Sequence, residues 1–167
     1  MPIDEKDLIE AQKQFATSLY TKAWEYTDNE NFTDQEIEEM INCCHASAWH
    51  WSQLGDHASN RERWEQSFSI AHNQIAIVYY LAKRQEASLY HAKKSVEYCD
   101  KYGLGDFIRA YAYECLARAY HLNGDYDNRN KFLKLANKAA ENIKVESDRE
   151  FFISELRKSP GYSEAMS

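Results

Sequence analysis

Valine occurs only three times in 167 residues, and all four threonines fall within the first 33. A sheet needs β-branched residues alternating with polar ones, and no stretch of this chain supplies them. Glycine and proline are scarce as well, at 5 and 2, which excludes collagen-like and Pro/Gly-rich disordered chains. No apolar run approaches the ~18 residues of a membrane span. The opening Met1-Pro2-Ile3-Asp4-Glu5 has no basic start of the kind a signal peptide carries. A soluble cytoplasmic protein is expected. Also missing are a glycine-rich phosphate loop, a G-x-S-x-G nucleophile turn and any HExxH or i, i+4 histidine pair. Catalytic residues, metal ligands and cofactors are therefore expected to be none.

Positive charge is also in short supply at one end. Residues 1–40 hold eleven acids against Lys6, Lys13 and Lys22, a net −8 that leaves +1 for the rest of the chain. Nucleic-acid binding needs Lys and Arg against phosphates, so it is not expected. The acidic end reads first as a solvated helix face, and second as a docking surface for a basic partner. The cysteines Cys43, Cys44, Cys99 and Cys115 have no CxxC spacing. They are expected as buried free thiols in a reducing compartment.

Nineteen alanines and an apolar spacing of three and four favour helix throughout. Thr33-Asp34-Gln35-Glu36 is a capping box, with Phe32 and Ile37 spaced as a hydrophobic staple across it. Ser59-Asn60-Arg61-Glu62 and Ser147-Asp148-Arg149-Glu150 repeat the pattern, and Asp106 and Asp125 follow glycines where a cap is wanted. Gly55, Gly103 and Gly124 read as stops. About seven helices follow, over 4–27, 34–53, 58–83, 86–102, 107–122, 126–142 and 147–158. Short connections make successive helices antiparallel. The expected fold is all-α, a single domain over 1–158 of stacked antiparallel helical hairpins, with 159–167 as a loose tail behind Ser159-Pro160-Gly161.

The chain partly repeats itself. His72, Ile75, Ala76, Tyr79, Ser88, Ala92 and Ser95 match Tyr113, Leu116, Ala117, Tyr120, Arg129, Leu133 and Ala136 at a constant offset of 41. The second segment, Tyr113-x-x-Leu116-Ala117-x-x-Tyr120-x-x-Asn123-Gly124-Asp125-Tyr126, resembles the tetratricopeptide repeat, whose usual period is about 34. Ala48, Trp51, Leu54-Gly55-Asp56-His57 and Trp64 form a poorer third match. The resemblance spans roughly residues 35–142 and departs from the pattern in period and at Asn60 and Arg129, where a small residue is usual. It implies an α-solenoid with a concave groove, into which Tyr111, Glu114, Arg118 and His121 would look, joined by Asn73, Ile77 and Tyr80. The strings His45-Ala46-Ser47-x-x-His50-Trp51, Arg63-Trp64, His91-Ala92 and Gly103-Leu104-Gly105-Asp106 are similar to those of a group of short bacterial proteins. That likeness implies a fold and a bacterial cytoplasm but no reaction.

The polar candidates for a site are His45, Trp49, His50, Arg63, Tyr111, Glu114, Arg118 and His121. One use is a protein-interaction module that holds a peptide or partner protein in the groove, where rigid aromatics supply contact at low entropy cost. The alternative is a small-molecule or metal-binding sensor or enzyme whose pocket draws on His45, His50, Arg63 and Glu114, which must then converge. Each has a plainer reading: Glu114 and Arg118 are an i, i+4 ion pair and the histidines satisfied core residues. Phe151, Phe152 and Leu156 read as a cap on the stack or a homodimer contact.

Overall fold

The computed structural model describes residues 4–28, 31–54 and 61–167, and the side chains within them except those of 28 and 61–63. Eight α-helices and no strand occur among these residues: α1 (Glu5–Glu25), α2 (Asp34–Gln53), α3 (Arg61–Leu81), α4 (Gln85–Tyr102), α5 (Asp106–Leu122), α6 (Tyr126–Glu141), α7 (Glu146–Leu156) and α8 (Tyr162–Met166). No described helix is long and apolar enough to cross a membrane.

The capping box forms as the spacing requires. Thr33 Oγ1 accepts from the Glu36 amide at 3.2 Å, and Glu36 Oε2 accepts from the Thr33 amide at 2.8 Å. Phe32 and Ile37 pack on the same buried cluster as Met40 and Cys44. Asp125 caps α6 through the Asn128 amide. Gly103 ends α4 at φ 61°, a left-handed conformation that costs glycine little. Three expected features differ. Asp106 is the first residue of α5, with Gly105 before it as the cap. Ser147 lies one residue inside α7, whose cap position is Val145, so the box there is not made. The third helix ends at Leu81, because Lys83 takes a positive φ of 58° in the turn to α4. The proposed start at Ser59-Asn60 and the stop at Gly55 lie outside the described residues.

Each helix packs on its chain neighbour: α1 on α2, α3 on α4, α5 on α6, with α2–α3, α4–α5 and α3–α5 contacts joining the pairs. Small residues sit where the helices meet. Ala76, Ala92, Ala117 and Ala136 are buried, and buried serines tie one helix to the next helix's backbone. Ser47 donates to the Ala16 carbonyl at 2.7 Å, Ser88 to Ala76 at 3.0 Å and Ser95 to Ser69 at 2.9 Å. A hydroxyl this short lets two backbones approach while keeping its own polar group bonded. The odd-numbered helices are linked directly as well, by Gln74 to the Tyr20 carbonyl at 2.8 Å and Asn73 to the Tyr111 carbonyl at 3.0 Å.

The expectation of a loose tail over 159–167 is corrected. The chain turns at Gly161 (φ 79°), forms α8 and buries Ser159 and Ala165. The partner that makes this worthwhile is Arg129, 4% exposed, which pairs with Glu164 at 2.7 Å and lies over the Tyr126 ring. A side chain at 161 would meet the Arg129 guanidinium and require an unfavourable φ. Gly161→Ala is therefore expected to cost about 2 kcal/mol. Urea unfolding measures the loss, and an unchanged midpoint would show that α8 contributes nothing to global stability.

Candidate functional site

A cavity of about 850 Å³ runs along one side of the molecule, walled by the odd-numbered helices save for Ser95 and for Thr27 just beyond α1. From α1 come Tyr20 and Trp24; from α3, Asn73, Ile77 and Tyr80. The α5 wall presents Phe107, Tyr111, Glu114 and Arg118, and α7 closes the far side with Phe151, Phe152 and Glu155. The aromatic groups are mutually braced. Tyr111 meets Phe152 edge-on at 4.6 Å and Phe107 at 5.2 Å, and Tyr20 meets Trp24 at 6.1 Å. Phe107 and Phe151 remain 40% and 62% exposed, so the apolar lining continues onto the rim.

The polar floor is the Glu114–Arg118 pair, one turn apart on α5. Glu114 is 7% exposed. Its Oε1 accepts from Arg118 Nε and from Ser159 Oγ, the latter at 2.6 Å. The Arg118 guanidinium lies 6.0 Å from the Tyr80 ring and reaches Ser159 Oγ at 3.4 Å. Burial, aided by the carboxylates of Glu114, Glu155 and Asp148, pushes the Tyr111 hydroxyl above its usual pKa and keeps it a donor at any physiological pH. Glu155 at the rim is answered by Lys158 at 2.5 Å.

The structure thus brings Tyr111, Glu114 and Arg118 to one groove together with Asn73, Ile77 and Tyr80. It places the other candidates elsewhere. His121 faces α6, its Nδ1 3.4 Å from Arg129, because the folded-back α8 and Arg129 make their cluster at that end of α5. His50 bonds Gln12 at 2.5 Å and stacks on Phe15, with Trp49 beside it and 56% exposed, on the α1–α2 edge. His45 Nε2 lies 2.9 Å from the Tyr79 hydroxyl, next to His91. The side chain of Arg63 lies outside the described residues. His45, His50 and Glu114 share no partner, so the convergence that a histidine-based pocket needs does not occur among them.

His45 belongs instead to a half-buried group with His72, His91 and Tyr79. His72 Nδ1 and His91 Nδ1 are 2.9 Å apart, their rings stacked at 5.0 Å. Burial first, then the neighbouring charges, draws both down to about 4. Among the described residues no set of three or more His, Cys, Asp or Glu is arranged to hold a metal ion. The four thiols are free and buried, and burial raises all of them, Cys44 to about 12, so none is poised as a nucleophile.

Sequence reasoning missed Tyr20 and Trp24, Phe151 and Glu155, and Ser159. The i, i+4 aromatic pair on α1 was a usable signal. Ser159 had none, because it reaches Glu114 across 45 positions of chain. Comparison of the chain with protein-family models, with curated proteins and with solved structures finds no match.

Proposed function

We propose that this chain is a tetratricopeptide-like interaction module that binds a peptide segment of a partner protein in the groove between α1, α3, α5 and α7. The observation that carries this reading is the aromatic-walled cavity whose lining extends outward onto exposed Phe107 and Phe151. Rigid aromatics immobilised by one another lose little entropy on binding, and an apolar rim has no use in an isolated monomer. Four free buried thiols fit a reducing cytoplasm, and the sequence likeness to short bacterial proteins points to a bacterial one.

Selection of phage-displayed random 12-residue peptides on the immobilised full chain tests the reading. Enriched peptides are expected to lose at least tenfold in affinity on Phe107→Ala or Phe151→Ala, with little change in the thermal midpoint for Phe151→Ala, whose side chain is mostly exposed. No enrichment over the blank support, or binders indifferent to both substitutions, would refute it.

A further inference from the structure

The polar floor of the groove carries a more specific instruction. Glu114 is nine-tenths buried and lines the cavity, yet both of its hydrogen bonds end on Oε1; among the described residues no donor meets Oε2. Arg118, with about a quarter of its side chain exposed, is likewise incompletely bonded. Its Nε is spent on Glu114 and its Nη2 reaches Ser159, while Nη1 has no acceptor among the described residues. Neither Oε2 nor Nη1 is among the fully buried side-chain atoms left without a partner, which among the described residues are Trp64 Nε1 and Gln74 Oε1, so both are open to a ligand entering the groove. The floor therefore offers one open acceptor and one open donor on a single ion pair.

The charge balance says what can meet them. On the floor Glu114 is answered by Arg118, while Glu155 stands at the rim in an exposed pair with Lys158, so the floor itself carries no net charge. A cation or anion entering would lose its hydration without finding net opposite charge. A group that is neutral, planar and carries a donor and an acceptor on the same edge loses nothing. Among side chains that group is the carboxamide of Asn or Gln. A backbone amide has its N–H and C=O on opposite edges and does not match so well.

We propose, resting on the peptide-binding reading above, that the groove recognises an uncharged apolar segment anchored by one Asn or Gln side chain. The anchor's amide N–H donates to Glu114 Oε2 and its carbonyl accepts from Arg118 Nη1. The flanking apolar side chains lie against Tyr111, Phe107 and Phe151.

The peptides selected from the random 12-residue library decide the matter. Groove-dependent binders are expected to share an Asn or Gln among apolar residues. Changing that residue to Glu, to Lys or to Met is expected to weaken binding to the wild-type chain at least tenfold in each case. On Glu114→Gln, checked for fold by circular dichroism, the Gln-to-Met change in the peptide should cost less than threefold. The peptide-side substitutions stand by themselves if that variant does not fold. Binders that need Phe107 and Phe151 but carry Lys, Arg, Asp or Glu as the anchor, or tolerate its replacement by Met, would overturn this inference and leave the groove reading intact. Absence of any groove-dependent binder would overturn both.

Discussion

Arg118→Met is expected to destabilise the protein by about 3 kcal/mol, and to do so more than Glu114→Gln. Removing one member of a buried ion pair strands the other, at a cost of about 3–5 kcal/mol. Here the two members are unequal. Arg118 keeps about a quarter of its side chain in contact with solvent, while Glu114 keeps under a tenth. A lone guanidinium at that position can recover hydration; a lone carboxylate cannot. Methionine restores most of the packed volume, so the loss reports charge rather than a cavity. Ser159 would still donate to Oε1, which places the figure at the lower end. In a chain of this size about 3 kcal/mol lowers the thermal midpoint by roughly 6–12 °C. Circular dichroism melts of the two variants beside wild type measure it. Equal midpoints for Arg118→Met and wild type would mean that the pair is solvated and idle.

Acid is expected to loosen the molecule well before the surface carboxylates alone would do so. His72 and His91 share one hydrogen bond between their Nδ1 atoms, and only one ring can donate in it. Lys94 lies close enough to oppose a further positive charge on His72, with Glu97 a weaker offset, and His45 opposes charging of both rings. Both histidines are held near 4 in the fold against about 6.5 in an unfolded chain. Between these values the unfolded state binds protons that the folded state refuses. Stability is then complete above pH 6.5 and falls as pH drops towards 4. Because the pair is coupled and each ring is only part-buried, the loss is about 3 kcal/mol for both together after allowance for solvent. His91→Phe keeps a ring against His72 and Tyr79, and removes one of the two titrations. Its stability should vary less between pH 6.5 and 4 than that of wild type. An identical slope in urea unfolding across that window would contradict this account.

Local signals were the legible part of this chain. The Thr33 box with its Phe32–Ile37 staple and the left-handed stop at Gly103 depend on residues within a turn of each other, and each forms as read. The all-helical class followed from alanine content and the want of β-branched residues. On α5 the repeat resemblance implied that Tyr111, Glu114, Arg118 and His121 face the groove; the first three line it, and His121 turns to Arg129 instead. What a sequence cannot announce is a contact made by stacking. Ser159 finds Glu114 only where the turn after α7 meets α5, and Glu164 finds Arg129 only because α8 folds back, while Pro160-Gly161 reads equally well as the start of a loose end. His45 and His50 sit at neighbouring positions of α2 that differ by about 140° around the axis. They look alike as candidates but turn to Tyr79 and to Gln12 on different helices.

The groove itself is the central claim, and amide chemical-shift mapping with one of the selected peptides tests it most directly. Titration of the nitrogen-15-labelled chain is expected to move amides of α1 near Tyr20 and Trp24, of α3 from Ile70 to Leu81, of α5 from Phe107 to Arg118 and of α7 near Phe151. The amides of α2 and α6, and those of α4 away from Ser95, should hold still. Shifts centred instead on Phe15, Trp49 and His50, or spread over the even-numbered helices, would contradict the account and move the binding surface away from the groove.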